Sequence, residues 1–216
     1  KRFPRQGEHV IEQNHGLAVQ ALTGPLGKDA LKLTAPLLPS DPAAEDWAEA
    51  EISRKGLGSF ALVTPGAGWG GKQWPAERFG EVARALAAHN LKTIVNTGPE
   101  EEGLARQVVE ASGGSAVELS CSVGQLIALT RHARIFIGGD TGPLHLAAAL
   151  GIPVVGIYGP TDPARTGPFG TRAIALRHAE SETTFSHHRE PDDGLLKITA
   201  QEVIEAARHL LGGAGA

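Results

Sequence analysis

Between residues 136 and 145 the chain reads Phe136-Ile-Gly-Gly-Asp-Thr-Gly-Pro-Leu-His145, an acid, a hydroxyl and an imidazole set among glycines. The apolar run Ile135, Phe136, Ile137 stops at Gly138 and Gly139, and an Ala/Leu-rich run starts at Leu144. That order predicts a strand, a tight turn and a helix N-terminus. Asp140 and Thr141 are expected to supply N-cap oxygens, with Pro143 in the first helical turn. The free N–H groups and the positive dipole end of such a helix favour an anion beyond the strand's carboxyl end. A structural helix with a good cap would explain Asp140, Thr141 and Pro143 equally well. It leaves His145 unexplained, which tips the reading toward a ligand site formed by Asp140, Thr141, Gly142 and His145.

Four other loops carry polar or small residues in comparable positions. Residues 65–75 hold Gly66, Gly68, Gly70 and Gly71 ahead of Lys72. Small residues let backbone approach a ligand, and a mobile cation before a helix suits a diphosphate. No Ser or Thr follows Lys72, so this is not a P-loop. Glu100, after Gly98-Pro99, is either an ordinary acid of a first helical turn or an acceptor for ribose hydroxyls. Around Cys121 the backbone could meet a base edge or simply cap a helix. Tyr158-Gly-Pro-Thr-Asp-Pro163 makes a rigid turn. Together the five loops suit a nucleoside diphosphate carrying a polyhydroxylated group.

To bring them to one rim the chain must alternate strands and helices. Strands are expected at 60–64, 93–96, 116–119, 135–137 and 154–158, with one more near Leu176. Helices are expected at 43–55, 76–89, 100–112, 123–132, 144–150 and 198–211, the last capped near Thr199. The strands are short and continuously apolar, as in a parallel sheet covered on both faces. The fold class is therefore α/β, a doubly wound parallel sheet of Rossmann type, with ligands at the carboxyl ends of its strands. An amphipathic helix is expected within residues 1–22 and a Pro/Gly/Leu-rich linker over 23–42.

Composition narrows the partners. A net charge of −4 with dispersed Lys and Arg gives no polyphosphate-binding surface, so nucleic acid is not an expected partner. Cys121 is the one cysteine, which excludes a disulfide framework and fits a reducing compartment. No apolar run reaches the length of a membrane span. The polar start at Lys1 and the absence of methionine raise the expectation that the sequence is incomplete. Either a large N-terminal part lies outside it, or residues such as modified methionines are missing from it.

With these residues in view, the chain resembles glycosyltransferase family 9, the ADP-heptose:lipopolysaccharide heptosyltransferases. The resemblance rests on Lys72-Gln-Trp-Pro75, Gly98-Pro-Glu100, Gly139-Asp-Thr-Gly-Pro-Leu-His145 and Gly156-Ile-Tyr-Gly-Pro-Thr-Asp-Pro163. It spans roughly residues 55–211 and implies the C-terminal, donor-binding half of a two-domain GT-B enzyme. Residues 1–42 would then be a remnant of the acceptor domain with its linker, and 43–216 the nucleotide-sugar domain. The resemblance implies Lys72 for the phosphates, Glu100 for the ribose and Cys121 beside the adenine. Asp140 would contact the donor sugar, with Thr141, Gly142 and His145 around sugar and phosphates. It further implies inverting transfer from an ADP-sugar, with neither metal nor cofactor, to a lipopolysaccharide core. The setting would be the cytoplasm, peripheral to the inner membrane's cytoplasmic face. The family's general base is an aspartate near the start of the N-terminal domain, and nothing in residues 1–22 matches its context. A GT-B sugar-nucleotide epimerase and a non-catalytic nucleotide-sugar-binding module are the competing readings.

Overall fold

The computed structural model describes residues 7–23, 38–98, 101–184, 186–187 and 189–212. Six strands, β1 (Phe60–Thr64), β2 (Lys92–Val95), β3 (Ala116–Glu118), β4 (Ile135–Gly139), β5 (Val154–Tyr158) and β6 (Ala173–Arg177), form one sheet. Their order is β3-β2-β1-β4-β5-β6 and every pairing is parallel. This is the doubly wound order expected from the sequence, with its reversal between β1 and β4. Every residue of β1, β4 and β5 is buried.

Nine helices accompany the sheet among the described residues. They are α1 (Val10–Thr23), α2 (Pro42–Arg54), α3 (Ala76–Ala87), α4 (Glu102–Ala111), α5 (Val123–Arg131), α6 (Gly142–Ala149), α7 (Pro163–Thr166), α8 (Asp193–Lys197) and α9 (Ala200–Gly212). Alternate strand residues feed two cores. Ala61, Val63, Ile135 and Ile137 meet Phe79, Val82, Val203 and Ala207 on one face. Phe60, Leu62 and Phe136 meet Leu129, Leu144 and Ala147 on the other. Burying such side chains contributes about 1.5–3 kcal/mol each, and the two layers fix the strand ends.

Local chemistry explains where the helices begin. Asp41 accepts from the Ala43 amide at 3.0 Å and Pro42 opens α2. Ser122 and Gln125 form a reciprocal capping box at α5. Thr199 and Glu202 exchange bonds ahead of α9, matching the cap expected there. The sequence missed α7 and α8, of four and five residues, because they are too short for a periodicity to show. The expected linker falls largely on residues outside the described ones, and α2 begins at its last position.

Two anchors tie the chain's end to the start of α3. The Trp74 indole N–H donates to the Ile198 carbonyl at 3.0 Å, and the Arg78 guanidinium donates to the carbonyls of Leu196 and Ile198, both at 2.6 Å. Trp74 is buried, edge-on to Phe79 with ring centroids 4.8 Å apart. The start of α3 is therefore held rigidly a few residues beyond Lys72.

Candidate functional site

The loops after β1 and β4 meet where the strand order reverses, and Lys72 crosses between them. Its ammonium donates to the Asp140 carboxylate at 2.7 Å and to the Asp140 carbonyl at 3.3 Å. The other carboxylate oxygen of Asp140 lies 3.0 Å from Nε2 of His145, one turn into α6. Lys72, Asp140 and His145 thus form a single charged cluster, although 73 residues separate its ends in sequence.

Asp140 is almost fully enclosed, with 7% of its side chain exposed. Burial by itself would raise its pKa. Hydrogen bonds from His145 and Lys72, the lysine's charge and a smaller contribution from Thr161 outweigh that, holding the carboxyl at about 2 against an ordinary 3.8. The ionised carboxylate can only accept, so His145 presents Nε2–H to it and directs Nδ1 elsewhere. Tyr158 lies within reach of the same charge. Burial first and the Asp140 carboxylate second push its phenol well above the usual range.

The expected capping role of Asp140 and Thr141 is corrected here. Thr141 occupies the N-cap position of α6 in an extended conformation, but no side chain caps the helix. The Thr141 hydroxyl donates to the Gly139 carbonyl at 3.3 Å instead. The Asp140 carboxylate is already engaged by Lys72 and His145. Pro143 has no N–H and the Leu144 amide donates to the Thr141 carbonyl at 3.1 Å, which leaves the Gly142 amide as the donor at this helix start.

Beside this cluster lies a cleft of ≈ 220 Å³, lined by Thr64, Gly66, Asn96, Gly98, Glu101 and Thr141 among others. Glu101, next to the Glu100 singled out in the sequence, lines this cleft. Its carboxylate accepts from the Gly98 amide at 2.9 Å, and a Cβ on Gly66 would run into it. Glu100 itself lies outside the described residues. Three consecutive acids stand at 100–102. Asn96 donates to the Leu119 carbonyl at 2.9 Å and to the Cys121 sulfur at 3.3 Å, joining the loops after β2 and β3. Burial raises the Cys121 thiol to about 11, the bond from Asn96 offsetting this in part. Cys121 is thus a half-buried thiol packed against the core and held protonated at neutral pH.

A larger hollow of ≈ 450 Å³ opens at the other end of the strands, next to Ser59, Arg134 and Arg208. Residues at the C-terminal ends of α3 and α9 line it, and the Arg208 guanidinium bonds the His89 ring at 2.9 Å. Among the described residues no group of three or more His, Cys, Asp or Glu is placed to hold a metal ion. None of the described helices is long and apolar enough to cross a membrane.

A Rossmann-type sheet with a Lys–Asp–His cluster at its switch point and a polar cleft beside it defines a doubly wound α/β domain with its polar groups gathered at the carboxyl ends of the strands. Residues 2–193 match the family model for glycosyltransferase family 9 (heptosyltransferase), and the chain belongs to that family. It is 31% identical to lipopolysaccharide heptosyltransferase 3 of Escherichia coli, over 96% of this chain and 62% of the relative. Against lipopolysaccharide heptosyltransferase 1 of E. coli K12 the identity is 26%, over 94% and 59%. Among solved structures, the family 9 glycosyl transferase of Veillonella parvula superposes with a TM-score of 0.81 at 25% identity, over 99% of this chain and 63% of that one. E. coli heptosyltransferase WaaC with ADP shares the fold, with a TM-score of 0.69 at 23% identity, over 97% of this chain and 59% of that one. The chain spans about three-fifths of the length of these relatives.

Proposed function

We propose that this chain is the donor-binding part of a glycosyltransferase that moves a heptosyl-type sugar from its ADP conjugate to a lipopolysaccharide inner-core acceptor. The observation that carries the reading is the Lys72–Asp140–His145 cluster beside the uncapped start of α6. Lys72 has three donor hydrogens, and Asp140 takes two directions of them, leaving one for a phosphate oxygen. The Gly142 amide at the start of α6 supplies a neutral donor from a second direction. Negative charge that develops on a departing diphosphate is met by both, which lowers the barrier to cleavage of the sugar–phosphate bond. Glu101 accepts hydroxyls of the ribose, Cys121 and Asn96 form the wall beside the base, and Thr141, Gly142 and His145 surround the sugar and phosphates.

In this reading the acceptor hydroxyl attacks opposite the diphosphate, so the anomeric centre inverts. Its general base belongs to a part of the enzyme outside residues 1–22, and residues 1–42 are the remnant of that acceptor domain with its linker. No metal is required, because Lys72 and the helix start provide the positive field. The acceptor places the enzyme on the cytoplasmic side of the inner membrane, touching it peripherally. Family membership and the names of the relatives favour transfer over epimerisation of the nucleotide sugar or mere binding.

Calorimetric titration with ADP, adenosine and other nucleoside diphosphates tests the site. ADP is expected to bind tightest, and Lys72→Ala to weaken ADP by roughly 10–100-fold while sparing adenosine, the value of a charge-assisted bond. Equal loss for both ligands would reduce Lys72 to a structural role. With the longer protein, free ADP and a sugar-bearing acceptor are the expected products, and an isomerised nucleotide sugar would refute transfer.

A further inference from the structure

The glycine-rich stretch before Lys72 looks free in sequence, yet it is the most restrained loop of the site. The Asp192 amide donates to the Gly71 carbonyl at 3.2 Å. Gly70 lies so close to the Arg189 carbonyl that a Cβ there would overlap it. Asp192 is itself fixed, accepting from the Ser181 hydroxyl at 2.6 Å and from the Leu195 amide at 2.8 Å. Within this framework Trp69 turns its indole inward. The ring lies against Gly71, stacks on His187 with centroids 4.9 Å apart and planes 15° apart, and has the Lys72 ammonium 5.7 Å from its centroid.

We infer that Trp69 is a positioning residue for Lys72, aligning the ammonium for a diphosphate by a cation–π contact from the same glycine loop. The inference rests on the proposed reading of Lys72 as the phosphate ligand. A lysine stem has four rotatable carbon–carbon bonds and loses considerable freedom when its head is fixed. Asp140 restrains that head from the β4 side, and the indole's negative face restrains it from the β1 side. Together they hold the head from two sides, and Asp140 takes two of its three N–H directions. Trp gives the strongest such contact of the three aromatic residues, which accounts for a large aromatic ring in a run otherwise made of Gly and Ala.

Trp69→Leu keeps an apolar side chain but removes the ring, whereas Trp69→Phe keeps a ring. ADP and adenosine affinities are measured for both variants, and for Trp69→Leu in a Lys72→Ala background. Trp69→Leu is expected to weaken ADP by about threefold to tenfold without changing adenosine, and Trp69→Phe to stay within about twofold of the parent. In the Lys72→Ala background Trp69→Leu is expected to have no further effect on ADP. An unchanged Trp69→Leu, equal losses in the Leu and Phe variants, or the same loss with and without Lys72 would each overturn the inference. A loss in Lys72→Ala without one in Trp69→Leu would sink the positioning role alone. An undiminished ADP affinity in Lys72→Ala would sink the phosphate reading with it.

Discussion

Replacing Asp140 by Asn leaves the shape of the side chain and removes its charge, so it isolates what the charged cluster contributes to folding. In the folded chain the carboxyl sits at about 2, against 3.8 for an unperturbed aspartate. At 1.36 kcal/mol per pH unit, that difference contributes about 2 kcal/mol to stability at neutral pH. Because the folded value is depressed, the contribution is fully present above the unfolded value and fades as the pH falls from about 4 through about 2. The Asp140→Asn change would also turn an amide N–H toward a donor, either Lys72 or His145, and leave a largely buried ammonium without its counter-charge. The variant is therefore expected to lose about 2–3 kcal/mol in urea unfolding at pH 7. The gap between parent and variant should narrow in unfolding series carried down to pH 2. A gap that stays constant over that range would show that the cost lies in packing, and no cost at pH 7 would show that the cluster adds nothing to stability.

Other outcomes follow from neighbouring contacts. Glu101→Gln keeps an acceptor for the Gly98 amide but loses the charge; in titrations it should weaken adenosine and ADP alike by roughly 10-fold while leaving inorganic pyrophosphate unaffected. Cys121, raised to about 11 from 9.0, should react with iodoacetamide about 100-fold more slowly than a model thiol between pH 7 and 9, and a rate near the model's would refute its burial. Gly70→Ala should lower the melting temperature and loosen residues 186–192 to proteolysis, because its Cβ meets the Arg189 carbonyl. Gly68→Ala, with nothing within 4 Å of its Cβ, should do neither.

The fold was legible because its signals are local and repeated. Continuously apolar runs such as Phe60–Thr64 and Val154–Tyr158 read directly as buried parallel strands, and Ser122 and Thr199 marked helix starts. The site was legible only as a set of loops. Lys72, Asp140 and His145 were each singled out, but nothing in their spacing says that one carboxylate binds both of the other side chains. That pairing is decided by the β1–β4 register, in which Thr64 lies opposite Gly138. It also explains the one reversed expectation. Asp140 has the residue type of an N-cap, yet the Lys72 ammonium and the His145 Nε2–H hold its oxygens in place of the helix amides. The contacts of Glu101 with Gly98 and of Trp69 with His187 and Lys72 had no signal in the sequence, because the chain's folding alone brings these groups together.

The anchoring of Trp74 and Arg78 to the carbonyls at 196 and 198 has a consequence for how the domain holds together. The family match ends at residue 193, so the segment that receives these bonds, with α9 behind it, lies beyond the matched stretch. That segment closes a mechanical ring, from the glycine loop through α3 to 196–198 and back through Asp192 to Gly71. A ring of this kind has no free end at which to fray. The glycine loop and residues 192–198, more than 120 positions apart in sequence, are therefore expected to open together rather than one at a time.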